Sequence, residues 1–261
     1  MKKTKPVSEK PVAKGTSVRA TKKTSSVRNA AYASSGSKKT QSRAKSRRRT
    51  TVAARKQLVA LTLDALKKQY PNPACALEYN NPFELLVAVI LSAQCTDKRV
   101  NMTTPDLFKK FPDVDAFAKA HVEEIEEAIK KCGFYHSKAV NISRAAKKLV
   151  EEYGGAVPDD FEILIALPGV GRKTANCVLG NAFRIASGFV VDTHVLRLSR
   201  KIGLSDETSP EKVEADLNRL IPQEEWIDAS HRLIYLGRQF CSARRPLCDE
   251  CPLNSFCLKR S

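Results

Sequence analysis

The chain of 261 residues has no apolar run long enough to cross a bilayer. Its longest, Leu85 to Leu91, falls far short of the roughly 20 residues a spanning helix needs. The N-terminus lacks the apolar core of a secretory signal, so an extracellular disulfide framework is not expected despite eight cysteines. Convincing strand pairs and internal repeats are missing as well. These absences point to a soluble, intracellular chain with no membrane partner, large enough for one sizeable domain or two small ones.

Acidic residues are nearly missing from the first fifty positions, where sixteen Lys and Arg stand against Glu9 alone. The other 211 residues carry 29 basic and 27 acidic side chains, so the net charge of +17 belongs almost wholly to this tail. Residues 1–52 also hold almost none of the large apolar side chains that would offset the entropy of ordering, and are expected to be disordered. A solubilising tail, an electrostatic DNA tether and a targeting peptide all fit that composition. The charge says nothing about the folded part.

From residue 52 onward helix signals dominate, and the expected fold class is all-α, built from many short helices. Leu58, Leu61, Ala65 and Leu66 share one face of a helix over 54–70. Asn81, Pro82 and Glu84 suit N-cap, N1 and N3 of a buried helix reaching Gln94. Thr104-Pro105 opens another. Helices at about 122–132 and 137–153 are closed by Gly133 and Gly154. Further helices start at Asp159 or Asp160, near Arg172, near Thr193 and at Ser209-Pro210, and one covers about 224–240.

The most informative segment is Leu167-Pro168-Gly169-Val170-Gly171-Arg172-Lys173-Thr174-Ala175. Pro168 stops one helix, and the two glycines permit torsions other residues avoid while leaving their amides bare. A helix then begins at once, and bare amides at a helix N-terminus hold an anion such as a DNA phosphate. The pattern is a helix–hairpin–helix anchor, with Gly169, Val170, Gly171 and Arg172 at the DNA. Lys173 falls in the first turn, where the helix dipole opposes a cation and desolvation would favour a neutral amine. On spacing alone it is either a phosphate clamp or a nucleophile able to form a Schiff base with a sugar carbon. Asp192, within Val190-Val191-Asp192-Thr193-His194, is either a helix N-cap or a carboxylate that stabilises a sugar cation.

Cys241, Cys248, Cys251 and Cys257 are separated by six, two and five residues. Four thiols so close together call for a metal. Structural zinc favours two close pairs, and only Cys248 and Cys251 form one, so spacing leaves zinc and iron–sulfur open. Arg244 and Arg245 lie between the first two cysteines, where a pinned loop would present them to phosphates.

Taken together, LPGVGRKTAN (Leu167 to Asn176), VDTH (Val191 to His194), ILSAQ followed by Thr96-Asp97, and the closing cysteines resemble the endonuclease III family, over essentially residues 54–257. These are DNA glycosylase/lyases of the helix–hairpin–helix superfamily. The resemblance implies a 4Fe–4S cluster on the four cysteines, Lys173 as nucleophile and Asp192 as catalytic carboxylate. It places Gln94 in the gap left by a flipped nucleotide and Phe134 at an apolar wedge, with His194 and Arg244 also at the DNA. It implies a six-helix domain over 75–185, and a cluster domain of 53–74 plus 186–261. The implied substrate is double-stranded DNA with a damaged pyrimidine or abasic site, bound by a monomer. A bacterial chain would work in the cytoplasm at the nucleoid, and a nuclear or mitochondrial one would use the tail as an address. Adenine glycosylases of the superfamily carry a glutamate near Ile90 and no hairpin lysine, which disfavours them.

Overall fold

The structure, a computed structural model, describes residues 51–259. The expected disorder of the basic tail therefore lies outside the described residues, apart from its last two positions. Among the described residues the chain is wholly helical, with no strands. In order come α1 (Val52–Gln69), α2 (Pro82–Ser92), α3 (Asp97–Asn101), α4 (Thr104–Lys110), α5 (Val114–Lys119) and α6 (Val122–Ile129). They are followed by α7 (Tyr135–Tyr153), α8 (Phe161–Ile165), α9 (Arg172–Val178), α10 (Thr193–Ile202), α11 (Pro210–Leu220) and α12 (Trp226–Gln239). A π turn, Leu179–Phe183, extends α9, and a 3-10 turn, Gln223–Glu225, precedes α12.

Side-chain caps account for most of the helix starts. Thr51 starts α1, two residues earlier than expected, by accepting from the amide of Ala54. Asn81 accepts from the Glu84 amide at 2.9 Å, and Pro82 occupies N1 of α2. Asp160, rather than Asp159, caps α8 through Ile163 at 2.9 Å. Ser209 caps α11. Each such cap is worth about 1 kcal/mol. Two ends differ from expectation. α6 stops at Ile129, so Gly133 is a loop residue, and α2 stops at Ser92, before Gln94. The short helices α3 and α5 escaped the sequence reading, being too brief to show a period of 3.6.

Two hydrophobic clusters form the interior. In the first, α2 is buried on every side from Phe83 to Leu91, which is why its sequence shows no polar stripe. It packs against α7 and α9, while α5 and α6 cover α7. Phe117 sits at the centre of an aromatic group with Phe83, Phe108 and Phe111. The second cluster joins α1 to α10, α11 and α12 through Leu63, Leu66, Val195, Leu198, Val213, Leu217, Leu233 and Leu236. Leu61 was expected on the buried face of α1 but is exposed. The face runs through Leu58, Val59, Thr62, Leu63 and Leu66, and Thr62 joins it by returning its hydroxyl to the Leu58 carbonyl at 2.7 Å.

The segment 70–80 crosses from one cluster to the other and is tied down along its length. Arg232 donates to the Tyr70 carbonyl, the Tyr235 hydroxyl exchanges hydrogen bonds with Ala74, and Asn101 bonds Ala76 and Glu78. An ion pair between Asp97 of α3 and Arg238 of α12 adds a second link between the clusters. Among the described residues no helix is long and apolar enough to cross a membrane.

Candidate DNA-binding active site

A cavity of about 1060 Å³ opens where the two clusters meet, walled by the segment 74–77, the end of α2, the start of α9, residues 189–194 and one face of α12. Lys173, Asp192, His194, Arg172, Gly171 and Gln94 all line it. Phe134, Gly169, Val170, Arg244 and the four closely spaced cysteines lie outside its lining.

The hairpin comes from two unlike glycines. Gly169 has φ +79°, and a Cβ there would come within 2.8 Å of Asn141 Cβ, so both torsion and space demand glycine. Gly171 does not share this need. Its backbone is extended (φ −102°, ψ 176°) and a Cβ would point into open space, which corrects the expectation of an unusual torsion. What its lack of a side chain provides is exposure: it is the N-cap of α9, and no side chain caps that helix. The amides of Gly169 and Gly171 form no hydrogen bond among the described residues, whereas Val170 turns its amide inward to the Leu167 carbonyl at 3.1 Å and buries its side chain. We expect Gly169→Ala to cost about 2 kcal/mol or more, since it combines backbone strain with a clash. It should weaken DNA binding more than Gly171→Ala weakens folding. Chemical denaturation and fluorescence anisotropy of both variants on duplex DNA check this.

Arg172 is anchored beside the hairpin. Its guanidinium bonds Glu214 of α11 at 3.0 Å and lies over the Phe161 ring, 4.9 Å from its centre. Glu214, buried, also accepts from Asn176 at 3.1 Å. The carboxylate raises the pKa of the guanidinium further and fixes the register of α9 against α11.

Lys173 is exposed and makes no hydrogen bond or ion pair among the described residues. The desolvation expected from the sequence is thus not supplied by the protein alone, because a residue at the second position of an N-terminal turn projects into the open cavity. Asp192 is half-buried and does act as N-cap, its Oδ1 accepting from the Val195 amide at 2.8 Å. No donor among the described residues reaches its Oδ2. One oxygen is thereby used for structure and the other is left at the cavity. His194, the second residue of α10, packs so tightly on Gly237 of α12 that a Cβ there would come within 2.7 Å of Nδ1. Arg197 Nη2 lies 3.2 Å from that nitrogen and can only donate, so Nδ1 accepts and Nε2 carries the proton.

Two residues that are not glycine adopt left-handed backbone at the ends of neighbouring loops, Gln94 (φ 53°) and Phe134 (φ 57°). Such torsions cost of order 1 kcal/mol or more and persist only where the surroundings impose them. The loops touch, since a Cβ on Gly133 would lie 3.5 Å from the Gln94 carbonyl oxygen. Lys138 of α7, itself buried, donates to the Leu91 carbonyl at 2.7 Å and ties the loops together from below. The result displays the Phe134 ring at 65% exposure beside the Gln94 loop.

His231 lines the cavity as well, with Nε2 2.9 Å from Asn181 Oδ1. Burial pushes its pKa down, so it stays neutral and donates to that oxygen. Neither it nor the Asp97–Arg238 pair stood out in the sequence, because both depend on contacts between distant segments.

The cysteine loop hangs from the end of α12 and folds back on α10. Cys241 donates its amide to Leu236, Arg197 binds the Cys241 carbonyl at 2.7 Å, and Cys257 approaches the Lys201 carbonyl. Buried Leu253 plugs the loop into the second cluster. The four thiols lie within reach of each other's charge. Burial pushes the pKa of Cys241 and Cys251 up, and the other thiolates add to it, while Arg197 and Lys201 pull Cys241 back. Four sulfurs so placed require cations among them to ionise together. An all-thiolate set of four suits a structural zinc ion and an iron–sulfur cluster alike. Arg244 and Arg245 are exposed on the turn between the first two cysteines, which Ser242 closes by bonding Arg245.

Comparison with known proteins agrees with this geometry. Residues 87–223 match the HhH-GPD superfamily of base excision DNA repair proteins, and residues 241–257, running from the first cysteine of the quartet to the last, match the iron–sulfur binding domain of endonuclease III. Endonuclease III of Synechocystis is 52% identical over 206 residues, covering 79% of this chain and 94% of its own. That of Bacillus subtilis is 45% identical over 200 residues, covering 76% and 91%. The structure of a trapped endonuclease III–DNA covalent intermediate superposes with a TM-score of 0.75 at 44% identity, over 78% of this chain and 96% of that one. A thermostable thymine-DNA glycosylase shares the fold, with a TM-score of 0.68 at 23% identity. The chain belongs to the endonuclease III family of HhH-GPD base excision DNA repair proteins.

Proposed function

We propose that this protein is a bifunctional DNA glycosylase and abasic-site lyase, which excises oxidised pyrimidines and cuts the strand on the 3′ side by β-elimination. The observation that carries the reading is the convergence of Lys173 from α9 and Asp192 from the start of α10 on one cavity, beside an uncapped helix start. The two clusters act as lobes, a helical domain over 75–185 and a cluster domain of 53–74 plus 186–261. Duplex DNA runs across the cleft and is bound by a monomer. Its setting is the nucleoid within the cytoplasm, as suits the bacterial relatives.

Each side chain then has a task. The bare amides of Gly169 and Gly171 take one backbone phosphate, with Val170 packing the turn beneath them and Arg172 held beside it. His194 and Arg244 contribute further contacts to the backbone. The damaged nucleotide turns out of the stack into the cavity, Gln94 fills the gap, and Phe134 wedges against the exposed partner base. DNA covering the cavity supplies the desolvation that the free protein lacks, and the first turn of α9 opposes the lysine's charge.

Neutral Lys173 Nζ forms a bond to C1′ as the base leaves with the electrons of the glycosidic bond. Asp192 Oδ2 stabilises the positive charge that develops on the sugar. Nζ loses a proton, the C1′–O4′ bond opens, and a protonated Schiff base results. Loss of a C2′ proton then expels the 3′ phosphate. Cys241, Cys248, Cys251 and Cys257 hold a 4Fe–4S cluster, which neutralises the thiolates and fixes the loop that presents Arg244.

The test is duplex DNA with one oxidised pyrimidine against the same duplex undamaged. Cleavage only of the damaged strand, leaving an unsaturated aldehyde on the 3′ end, supports the proposal. Release of the base without strand cleavage would remove the lyase half, and no release would remove the whole.

A further inference from the structure

Outside the quartet four cysteines remain, and the fold sets Cys75 beside Cys177 and Cys95 beside Cys132, each thiol close enough to shift the titration of its neighbour. Nothing in the sequence couples Cys75 to Cys177, which are about a hundred residues apart. Both line the cavity that holds Lys173 and Asp192. Cys177 lies one helical turn beyond Lys173 on α9, at the i+4 position that shares its face. Its sulfur also lies 3.5 Å from Asn181 Nδ2. Cys75 belongs to the segment 70–80, held immobile by Tyr235 and Asn101 on either side of it. Two neighbouring thiols thus stand together in the wall of a cavity open to small solutes.

We propose that Cys75 and Cys177 are an oxidisable dithiol, which hydroperoxides convert to a reversible disulfide that slows excision. Their chemistry is asymmetric in the way such a pair requires. The hydrogen bond from Cys177 outweighs burial and, with the Leu77 amide and the charge of Lys173, holds the Cys75 thiol down at about 7. The same hydrogen bond, then burial and the Cys75 charge, pushes Cys177 up. The pair shares one anion, resting on the more accessible sulfur.

The Cys75 thiolate attacks a peroxide oxygen, giving sulfenic acid and the alkoxide or hydroxide that takes up a proton. Cys177 is then freed of the anion that kept it protonated. It loses its proton, attacks the sulfenic sulfur and expels hydroxide. Two thiols and one hydroperoxide become one disulfide, one alcohol or water, and one further water. Drawing the two neighbouring sulfurs to covalent distance shifts α9 against the segment 70–80, next to Lys173. A displacement of about 1 Å at a reacting group costs about 100-fold in rate. The disulfide itself does not depend on the proposed function, whereas its effect on excision rests on it.

The experiment treats the holoprotein with hydrogen peroxide while the visible absorbance of the cluster is followed. Blocked and digested samples are then analysed by mass spectrometry, and strand cleavage is assayed before and after dithiothreitol. The expected result is a linked Cys75–Cys177 peptide pair with the cluster absorbance intact, and a loss of cleavage of about 100-fold that dithiothreitol reverses. Cys75→Ser and Cys177→Ala should cleave normally before treatment and form no linked pair, and Cys75→Ser should keep its cleavage in peroxide. No linked pair at intact cluster absorbance overturns the proposal, as does an equal loss of cleavage in Cys75→Ser. A linked pair with unchanged cleavage overturns its coupling to the active site. Reduced protein that never cleaves refutes the glycosylase reading instead, and leaves the disulfide standing on the mass data.

Discussion

Lys173→Gln should reduce strand cleavage at an oxidised pyrimidine or an abasic site to the level of buffer, with folding and DNA binding nearly unchanged. The side chain is exposed and bonds to nothing among the described residues, so its replacement shifts stability by no more than about 0.5 kcal/mol. It also removes a cation from the first turn of α9, which that helix tolerates well. Glutamine is one atom shorter but keeps the polarity, and its amide nitrogen, whose lone pair is delocalised into the carbonyl, cannot form a Schiff base at C1′. If Lys173 were only a phosphate clamp, the variant would lose affinity and salt dependence and keep a measurable rate at saturating protein. Single-turnover cleavage with excess protein, together with a binding isotherm at two salt concentrations, separates the two roles.

Asp192→Asn should lower single-turnover excision by about 100-fold to 10,000-fold, the range set by general acid–base and charge-stabilising groups. The substitution is informative because Asp192 has two jobs in one carboxylate. Its Oδ1 caps α10 through the Val195 amide, and asparagine caps a helix about as well as aspartate. Thermal unfolding of Asp192→Asn should therefore stay close to that of the parent, whereas Asp192→Ala should lose about 1 kcal/mol by giving up the cap. Rate loss in both variants with stability loss only in alanine assigns the chemistry to the charge. Full activity in Asp192→Asn would reduce Asp192 to a cap.

The parts of this site that were legible in the sequence are those written in consecutive residues. The hairpin, the run ending in Asp192 and the cysteine quartet each depend on neighbours within a few positions, so spacing alone proposed their chemistry. Helix starts were equally readable where a side chain does the capping, as at Asn81 and Asp160. What could not be read depends on distant contacts. The Cys75–Cys177 pair, the Asp97–Arg238 bridge and the Glu214 anchor of Arg172 each join segments that only the tertiary fold brings together. Leu61 failed for a subtler reason. On α1 the second cluster selects the stripe through Thr62, whose hydroxyl satisfies itself on the preceding turn, so a polar letter hid a buried position. Gly171 shows the opposite error, a glycine whose backbone is ordinary and whose bareness alone matters.

The central claim is that the lysine beside the hairpin becomes covalently attached to the sugar. Borohydride reduction during turnover tests it most directly, on duplex DNA with an oxidised pyrimidine or an abasic site. The account predicts a stable protein–DNA adduct whose digestion places the modified residue at Lys173, and no adduct from Lys173→Gln. An adduct mapped to another residue, or strand cleavage with no adduct at all, would contradict it.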